Sequence, residues 1–160
     1  MINLSKKNYL QILLFLSILT LSAAYSIEYL FGYQPCNLCI IERIPYILTI
    51  IIVVLSFKFK KDQIFYSILL LLVFSFSFLI SIYHFGIEQG FIEESTVCVS
   101  KNIDLITKEE VLKSLQEVSI SCKDVTFKIF NLSLTTYNII LSIIMFLIST
   151  KIFLINNEIK

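Results

Sequence analysis

The chain has 160 residues, of which 57% are hydrophobic and 16% are charged, and its formal net charge is +1. Soluble domains are about 45–50% apolar and about 25% charged, so this composition argues against a water-soluble enzyme and against a disordered chain. The near-neutral charge argues against a nucleic-acid-binding protein, because phosphate backbones require a basic surface. We expect residues 1–160 to form one membrane domain.

Four apolar stretches are long enough, or nearly long enough, to cross a membrane. A spanning helix needs about 20 largely apolar residues. We expect the spans at residues 8–28, 38–57, 64–83 and 129–150. Glu42 and Arg43 fall in the opening turns of the second span, where long side chains can reach the interface. The sequence therefore predicts an all-α integral membrane four-helix bundle.

The first span has a second interpretation. Lys6 and Lys7 precede it, and Ser22-Ala23-Ala24 resembles the cleavage site of a signal peptide. The apolar run is long for a signal peptide and continues to Ile27. We therefore expect it to be retained as the first membrane helix.

The lysines predict the orientation of the spans. Seven lysines and two acidic residues lie before span one, between spans two and three, or after span four. The long loop at residues 85–128 has eight acidic residues and five lysines. Because cytoplasmic loops are enriched in lysine and arginine, both termini should be cytoplasmic. Within the outer loop, Thr107 and Glu110 have capping-box spacing, and we expect a short amphipathic helix at residues 108–118.

The four cysteines, Cys36, Cys39, Cys98 and Cys122, all fall on the predicted outer side. That side is oxidising, so disulfides are expected, although four cysteines allow three pairings. Two structural disulfides are one interpretation, and a bridge between Cys98 and Cys122 would suit it. The spacing of Cys36 and Cys39 is instead typical of a redox pair. Zinc usually takes four ligands from two closely spaced pairs. Cys98 and Cys122 are far apart in the sequence and there is a single histidine, so we expect no metal site.

The residues around the CxxC motif favour a reactive pair. Pro35 suits the first turn of a helix, which would put both cysteines at a helix N-terminus. Arg43 lies four residues after Cys39, on the same helical stripe, where it can stabilise a thiolate or a nearby anion. Arg43 could instead be a membrane anchor paired with Glu42.

These residues resemble a known family. Residues 35–43 (PCNLCIIER) resemble the signature P-C-x-L-C-x-x-x-R of the DsbB family, and residues 122–142 (CKDVTFKIFNLSLTTYNIILS) are similar to its segment leading into the fourth helix. The sequence has no tryptophan and its outer loop is rich in lysine and glutamate, which departs from the family. The resemblance implies a thiol oxidase of the bacterial inner membrane. Such proteins reoxidise a soluble periplasmic DsbA-like oxidase and pass the electrons to a membrane quinone, ubiquinone or menaquinone.

The resemblance also implies a role for each cysteine. The partner thiolate would attack the Cys98–Cys122 disulfide and form a mixed disulfide with Cys98. The freed Cys122 would attack Cys36, and Cys39 would leave as a thiolate beside the quinone. Arg43 would hold the quinone head group.

His84 is the only histidine in the sequence and lies at the outer end of the third span. It is either a hydrogen-bond or proton donor to the quinone head or an ordinary interfacial residue. We expect the nearby Glu88 and Gln89 to be solvated loop residues. Two alternatives to the DsbB-like function are a quinone-linked enzyme of the vitamin K epoxide reductase type and a non-enzymatic membrane protein with structural disulfides.

Overall fold

The computed structural model describes residues 4–59, 62–94, 98, 121–123, 128–129 and 132–158. Its helices are α1 (Leu4–Tyr29), α2 (Asn37–Ile41), α3 (Ile44–Lys58), α4 (Gln63–Glu88) and α5 (Leu134–Glu158). Two short antiparallel strands, β1 (Lys128–Ile129) and β2 (Leu132–Ser133), precede α5. The amphipathic helix expected at residues 108–118 lies outside the described residues.

Among the described residues, four segments are long and apolar enough to span a membrane. They are Lys6–Tyr29, Asn37–Lys58, Gln63–Glu88 and Leu134–Asn157. α1 packs on α3, α3 on α4, α4 on α5, and α5 on α1, so the four long helices close into a ring. The predicted four-helix membrane bundle is thus confirmed.

The outer faces of the bundle are apolar and its interior contains small polar groups. Phe15, Leu72 and Leu79 are 65%, 61% and 64% exposed, as suits side chains that face lipid. Inside, the hydroxyls of Ser77 and Ser142 lie 2.9 Å apart and join α4 to α5. Small hydroxyl residues allow membrane helices to approach closely.

α4 continues five residues beyond the predicted end of the third span, to Glu88. Gly90 ends it with a φ of +75°. The N–H of Phe91 bonds the carbonyl of Gly86 at 2.9 Å, and the N–H of Gly90 bonds that of Ile87 at 3.0 Å. This pair of bonds is the Schellman arrangement, which favours glycine at the left-handed position. The first residues of the expected outer loop are therefore helical.

The predicted start of the fourth span, at residue 129, is wrong. Residues Lys128–Ile129 pair with Leu132–Ser133 as strands, and the helix begins only at Leu134. The Ser133 hydroxyl accepts a hydrogen bond from the N–H of Thr136 at 3.3 Å, which caps the new helix end. Apolar composition alone did not distinguish this pairing from a longer helix.

The second span is interrupted at Glu42, which ends α2. Pro45 lies in the first turn of α3, where its missing N–H costs no hydrogen bond. The interruption leaves α2 as a short separate turn that carries the CxxC motif. The C-terminal ends of α1 and α4 and the N-terminal ends of α2 and α5 lie at one end of the bundle, termed here the cysteine end.

Candidate active site

The CxxC cysteines lie at the start of α2. Cys36 is the N-cap residue, and its Sγ accepts a hydrogen bond from the backbone N–H of Cys39 at 3.2 Å. Both cysteines are free thiols; Cys36 is buried and Cys39 is half-buried. Pro35 therefore precedes the helix instead of occupying its first turn, because Cys36 is in an extended conformation, with φ −70° and ψ 165°. The prediction that the pair opens a helix is confirmed.

His84 connects the cysteine pair to a carboxylate. Its Nε2 lies 3.6 Å from the Sγ of Cys36, and its Nδ1 lies 3.1 Å from Oε1 of Glu42. His84 is 1% exposed and Glu42 is 8% exposed. A buried carboxylate needs a hydrogen-bonding partner, and this contact fixes the orientation of the imidazole. The ring therefore presents its other nitrogen to the thiol.

The surroundings of Cys36 favour its thiolate. The pKa of this thiol is lowered from 9.0 to about 5, chiefly by a hydrogen bond from the Cys39 side chain. Burial opposes this change, and the hydrogen bond and charge of His84 lower the pKa further. In the reduced pair, Cys36 is therefore the residue that carries the negative charge.

Arg43 is held by α1 and not by its sequence neighbour. Its Nη1 donates to Oε2 of Glu28 at 2.6 Å, and its guanidinium lies 4.9 Å from the ring centre of Tyr25. The alternative interpretation, in which Arg43 pairs with Glu42, is wrong because Glu42 contacts His84 instead. The ion pair holds the guanidinium at the cysteine end, where three helices meet.

The remaining two cysteines form a disulfide, Cys98–Cys122, with their Cα atoms 5.4 Å apart. Both are buried, in one apolar cluster with Cys36, Leu38 and Ile87. The structure thus brings all four cysteines to the same end of the bundle, since Cys39 packs on this cluster as well. The spacing in the sequence did not decide between the three possible pairings.

Glu94 fastens the chain next to this disulfide. It accepts a hydrogen bond from the Ser121 hydroxyl and a second from the backbone N–H of Lys123 at 3.0 Å. These bonds join the segment after α4 to the residues that flank Cys122. The hydrogen bond from Ser121 makes the largest contribution to lowering the pKa of the Glu94 carboxyl, and the backbone N–H and the charge of Lys123 lower it further. The carboxylate therefore stays ionised as an acceptor.

A cavity of about 510 Å³ opens beside the cysteines. Cys36, Cys39 and Cys122 all line it, and so do Arg43 and His84. Its walls are mostly apolar side chains of α1 and α5, including Leu16, Leu19, Ile27, Ile140 and Ile144. Pockets of this size and character, with a few convergent polar groups, suit a small organic ligand.

Glu88 also lines this cavity, which corrects the expectation that it is solvated. Its Oε1 accepts a hydrogen bond from the Thr135 hydroxyl at 2.6 Å. Its Oε2 is buried and has no hydrogen-bond partner among the described residues. The helical spacing of His84 and Glu88, four residues apart, is the sequence signal that could have placed both on one face of α4.

Two further polar residues of the cavity were not predicted. The Tyr46 hydroxyl donates to Oδ1 of Asn138, and Nδ2 of Asn138 donates to the Ser81 hydroxyl at 2.8 Å. Tyr46 and Asn138 both line the cavity. Polar residues within apolar spans are costly unless they are paired or functional, and this is the signal that marks them in the sequence.

The reactive side chains include a donor set that could hold a metal ion. One donor atom from each of Cys36, Cys39 and His84 lies within 4.8 Å of the other two. The expectation of no metal site rested on the separation of 24 residues between Cys98 and Cys122 and on the presence of a single histidine in the sequence. The imidazole, which comes from α4, could not be assigned to this cluster from the sequence.

Comparison with known proteins identifies relatives of the chain. A family model described as disulfide bond formation protein DsbB matches residues 6–152. The chain is also 37% identical over 89 residues to an uncharacterized protein, RP370, of Rickettsia prowazekii (strain Madrid E). That alignment covers 56% of this chain and 52% of the relative, so the matched segment spans about half of the relative's length. No solved structure matches the chain.

Proposed function

Because the chain belongs to the DsbB family of disulfide bond formation proteins, we propose that it reoxidises a soluble DsbA-like dithiol oxidase and passes the electrons to a membrane quinone. The observation that carries this proposal is the meeting of all four cysteines with an apolar cavity at one end of a membrane bundle. A disulfide and a CxxC pair in contact can exchange electrons, and the cavity gives a lipid-soluble acceptor access to the pair.

The first steps are two thiol–disulfide exchanges. The thiolate of the reduced partner attacks Cys98, forming a mixed disulfide and releasing Cys122 as a thiolate. Cys122 then attacks Cys36 of the oxidised CxxC pair, and Cys39 leaves as a thiolate. The second thiolate of the partner then attacks the partner's sulfur in the mixed disulfide, which frees Cys98. Cys98 attacks Cys122, which breaks the Cys122–Cys36 bond, releases Cys36 as a thiolate and reforms the outer disulfide. One disulfide has then moved to the partner, and the CxxC pair is reduced.

The proposed steps end with an outer disulfide and a reduced CxxC pair, and the structure has the same pairing. Cys98 and Cys122 are bonded to each other, and Cys36 and Cys39 are thiols. The burial of Cys36 and Cys122 in one cluster supports direct exchange between them. Such an exchange needs the sulfurs in contact, because each step passes through a mixed disulfide.

The cavity residues suit a quinone. The apolar walls fit a ring and its isoprenoid substituents, and the guanidinium of Arg43 offers hydrogen bonds to a carbonyl oxygen. The buried, unpartnered Oε2 of Glu88 leaves one polar group in the cavity to be satisfied by a ligand. A bound quinone would supply the capacity to accept two electrons and two protons.

His84 and Glu42 can handle the protons of this chemistry. The imidazole lies between the Cys36 sulfur and the Glu42 carboxyl, so it can accept a thiol proton at Nε2. Glu42 stabilises the resulting positive charge through Nδ1. The role of His84 in this proposal is thus to hold a proton beside the cysteines, with its ring at the wall of the cavity.

We place the protein in the bacterial inner membrane with both termini in the cytoplasm and the cysteines on the periplasmic side. The lysine distribution supports this orientation. Lys58 ends α3 at the opposite end of the bundle from the cysteines. Disulfide formation also requires an oxidising compartment, which the periplasm supplies.

The test is an anaerobic turnover assay with the purified protein in lipid nanodiscs. A reduced DsbA-like protein is the electron donor, and ubiquinone or menaquinone is the acceptor, followed by its ultraviolet absorbance. We expect one quinone reduced per partner dithiol oxidised, loss of turnover in Cys39→Ser, and normal turnover in Ser75→Ala, whose hydroxyl donates to the carbonyl of Leu71 in its own helix. Turnover that survives in Cys39→Ser, or no quinone reduction by the wild type, would refute the proposal.

A further inference from the structure

We propose that the reduced protein contains a binding site for one thiophilic divalent cation, Zn²⁺ in the first instance, formed by Cys36, Cys39 and His84. The site goes beyond the proposed electron transfer, because it requires only that the two thiols are reduced. Zinc sites with three protein ligands, two sulfurs and one nitrogen among them, keep a fourth position for water.

The distances suit tetrahedral coordination. Zinc lies about 2.3 Å from sulfur and about 2.0–2.1 Å from an imidazole nitrogen, so these two ligands of a tetrahedral site are about 3.5–3.6 Å apart. The Sγ of Cys36 and the Nε2 of His84 are 3.6 Å apart. The three donor atoms all lie within 4.8 Å of one another, and a tetrahedral pair of sulfurs requires about 3.8 Å. A movement of the donor atoms by about 1 Å or less would therefore bring the three ligands to tetrahedral distances.

The second nitrogen of the imidazole is already engaged as metal-bound histidines require. Nδ1 contacts the Glu42 carboxylate at 3.1 Å, and both residues are buried. A histidine that binds a metal through one nitrogen almost always donates its other N–H to a carboxylate, a carbonyl or water. Glu42 therefore sets the tautomer that leaves Nε2 free to bind, and it stabilises the charge of the complex.

The fourth coordination position opens to the cavity. Cys36, Cys39 and His84 all line its wall, so water can reach a bound cation there. The cation would displace the thiol protons still held by the pair, which makes binding dependent on pH. The Cys36–Cys39 disulfide and the metal complex exclude each other, because oxidation removes both thiolate ligands. A bound cation therefore keeps the pair reduced and stops its reoxidation.

Cobalt provides the direct test, because tetrahedral Co²⁺–thiolate complexes absorb in the visible and near ultraviolet. The full-length protein in nanodiscs is reduced with a phosphine, freed of the reductant and titrated anaerobically with Co²⁺. We expect thiolate-to-cobalt bands that saturate at one equivalent and disappear when Zn²⁺ is added. The protein with its Cys36–Cys39 pair oxidised should give no such bands.

Variants identify the ligands. Cys39→Ser should abolish the bands, and His84→Gln should weaken Co²⁺ binding at least tenfold. Cys98→Ser should retain the bands and the wild-type affinity. Glu42→Gln, which keeps the shape of the side chain, should weaken binding about 10- to 100-fold. Helical circular dichroism and a monodisperse elution profile confirm that each variant is folded. Bands that persist in Cys39→Ser, bands that disappear in Cys98→Ser, or no bands in the reduced wild type would overturn the site. The turnover assay, run with a chelator, tests the proposed function separately.

Discussion

Replacing His84 with glutamine should raise the pKa of Cys36 and leave the fold in place. Glutamine retains a polar group of similar length but cannot carry the positive charge that stabilises the Cys36 thiolate. A hydrogen bond to a charged group contributes about 1.5–3 kcal/mol, and one pKa unit corresponds to about 1.4 kcal/mol. From a wild-type value of about 5, the pKa should therefore rise by about one to two units. It should remain below 9.0, because the hydrogen bond from Cys39 persists.

The assay measures the rate of alkylation of Cys36 by iodoacetamide from pH 4 to 10. Mass spectrometry locates the label, and a chelator keeps the thiols free of metal. The exposed neighbour Gln89 supplies a control, since Gln89→Ala should have the wild-type midpoint. A wild-type midpoint near 9, or an unchanged midpoint in His84→Gln, would show that the imidazole does not stabilise the thiolate.

The lowered pKa of Cys36 also determines how the stability of the reduced protein changes with pH. The folded value of about 5 lies below the ordinary value of 9.0, so folding favours the thiolate. The stabilisation of the reduced protein is therefore complete above about pH 9 and is lost as the pH falls through about 5. Thermal unfolding of the reduced protein in nanodiscs should show this loss, and His84→Gln should reduce its size. An equal loss in both proteins would contradict the assignment.

Three further substitutions test other contacts. Glu28→Ala removes the 2.6 Å ion pair of Arg43 and should raise the quinone KM by about tenfold or more, since a charged hydrogen bond contributes about 1.5–3 kcal/mol; an unchanged KM would show that the pair does not position the guanidinium. Thr135→Val removes the hydroxyl that donates to Oε1 of Glu88 and should destabilise the fold by about 1–3 kcal/mol in thermal unfolding, whereas Thr135→Ser should not; equal stability of the two variants would contradict this. Cys98→Ser should abolish oxidation of the protein partner, measured by trapping its thiols, and retained oxidation would exclude the outer disulfide as the first acceptor.

Much of the fold follows from local sequence, because a spanning helix depends mainly on a run of apolar residues. The helix ends were less accurate. Gly90 ends α4 through backbone bonds, and strand pairing at Lys128–Ile129 delays α5. Neither feature changes the apolar composition of the stretch, so neither could be read from it.

The candidate site was likewise predictable only where it depends on local sequence. The CxxC pair is a local motif and was found directly, as was its position at a helix start. The contacts of Glu42 with His84 and of Arg43 with Glu28 join residues 42 and 15 positions apart. They depend on which helices are neighbours in the ring, which no local pattern specifies. Glu88 was misassigned because its helix was expected to end at residue 83.

The position of Cys36 as the N-cap of α2 affects the reduction potential of the CxxC pair. The hydrogen bonds that converge on its sulfur stabilise an anion, and a disulfide sulfur has no such charge. At pH 7, a thiol pKa of about 5 in place of 9.0 stabilises the reduced pair by about 3 kcal/mol, on the order of 60 mV. The pair is thereby a stronger oxidant than two ordinary cysteines at the same spacing. The network that holds the thiolate therefore helps the oxidised CxxC pair to take electrons from Cys98 and Cys122 once the partner has opened their disulfide.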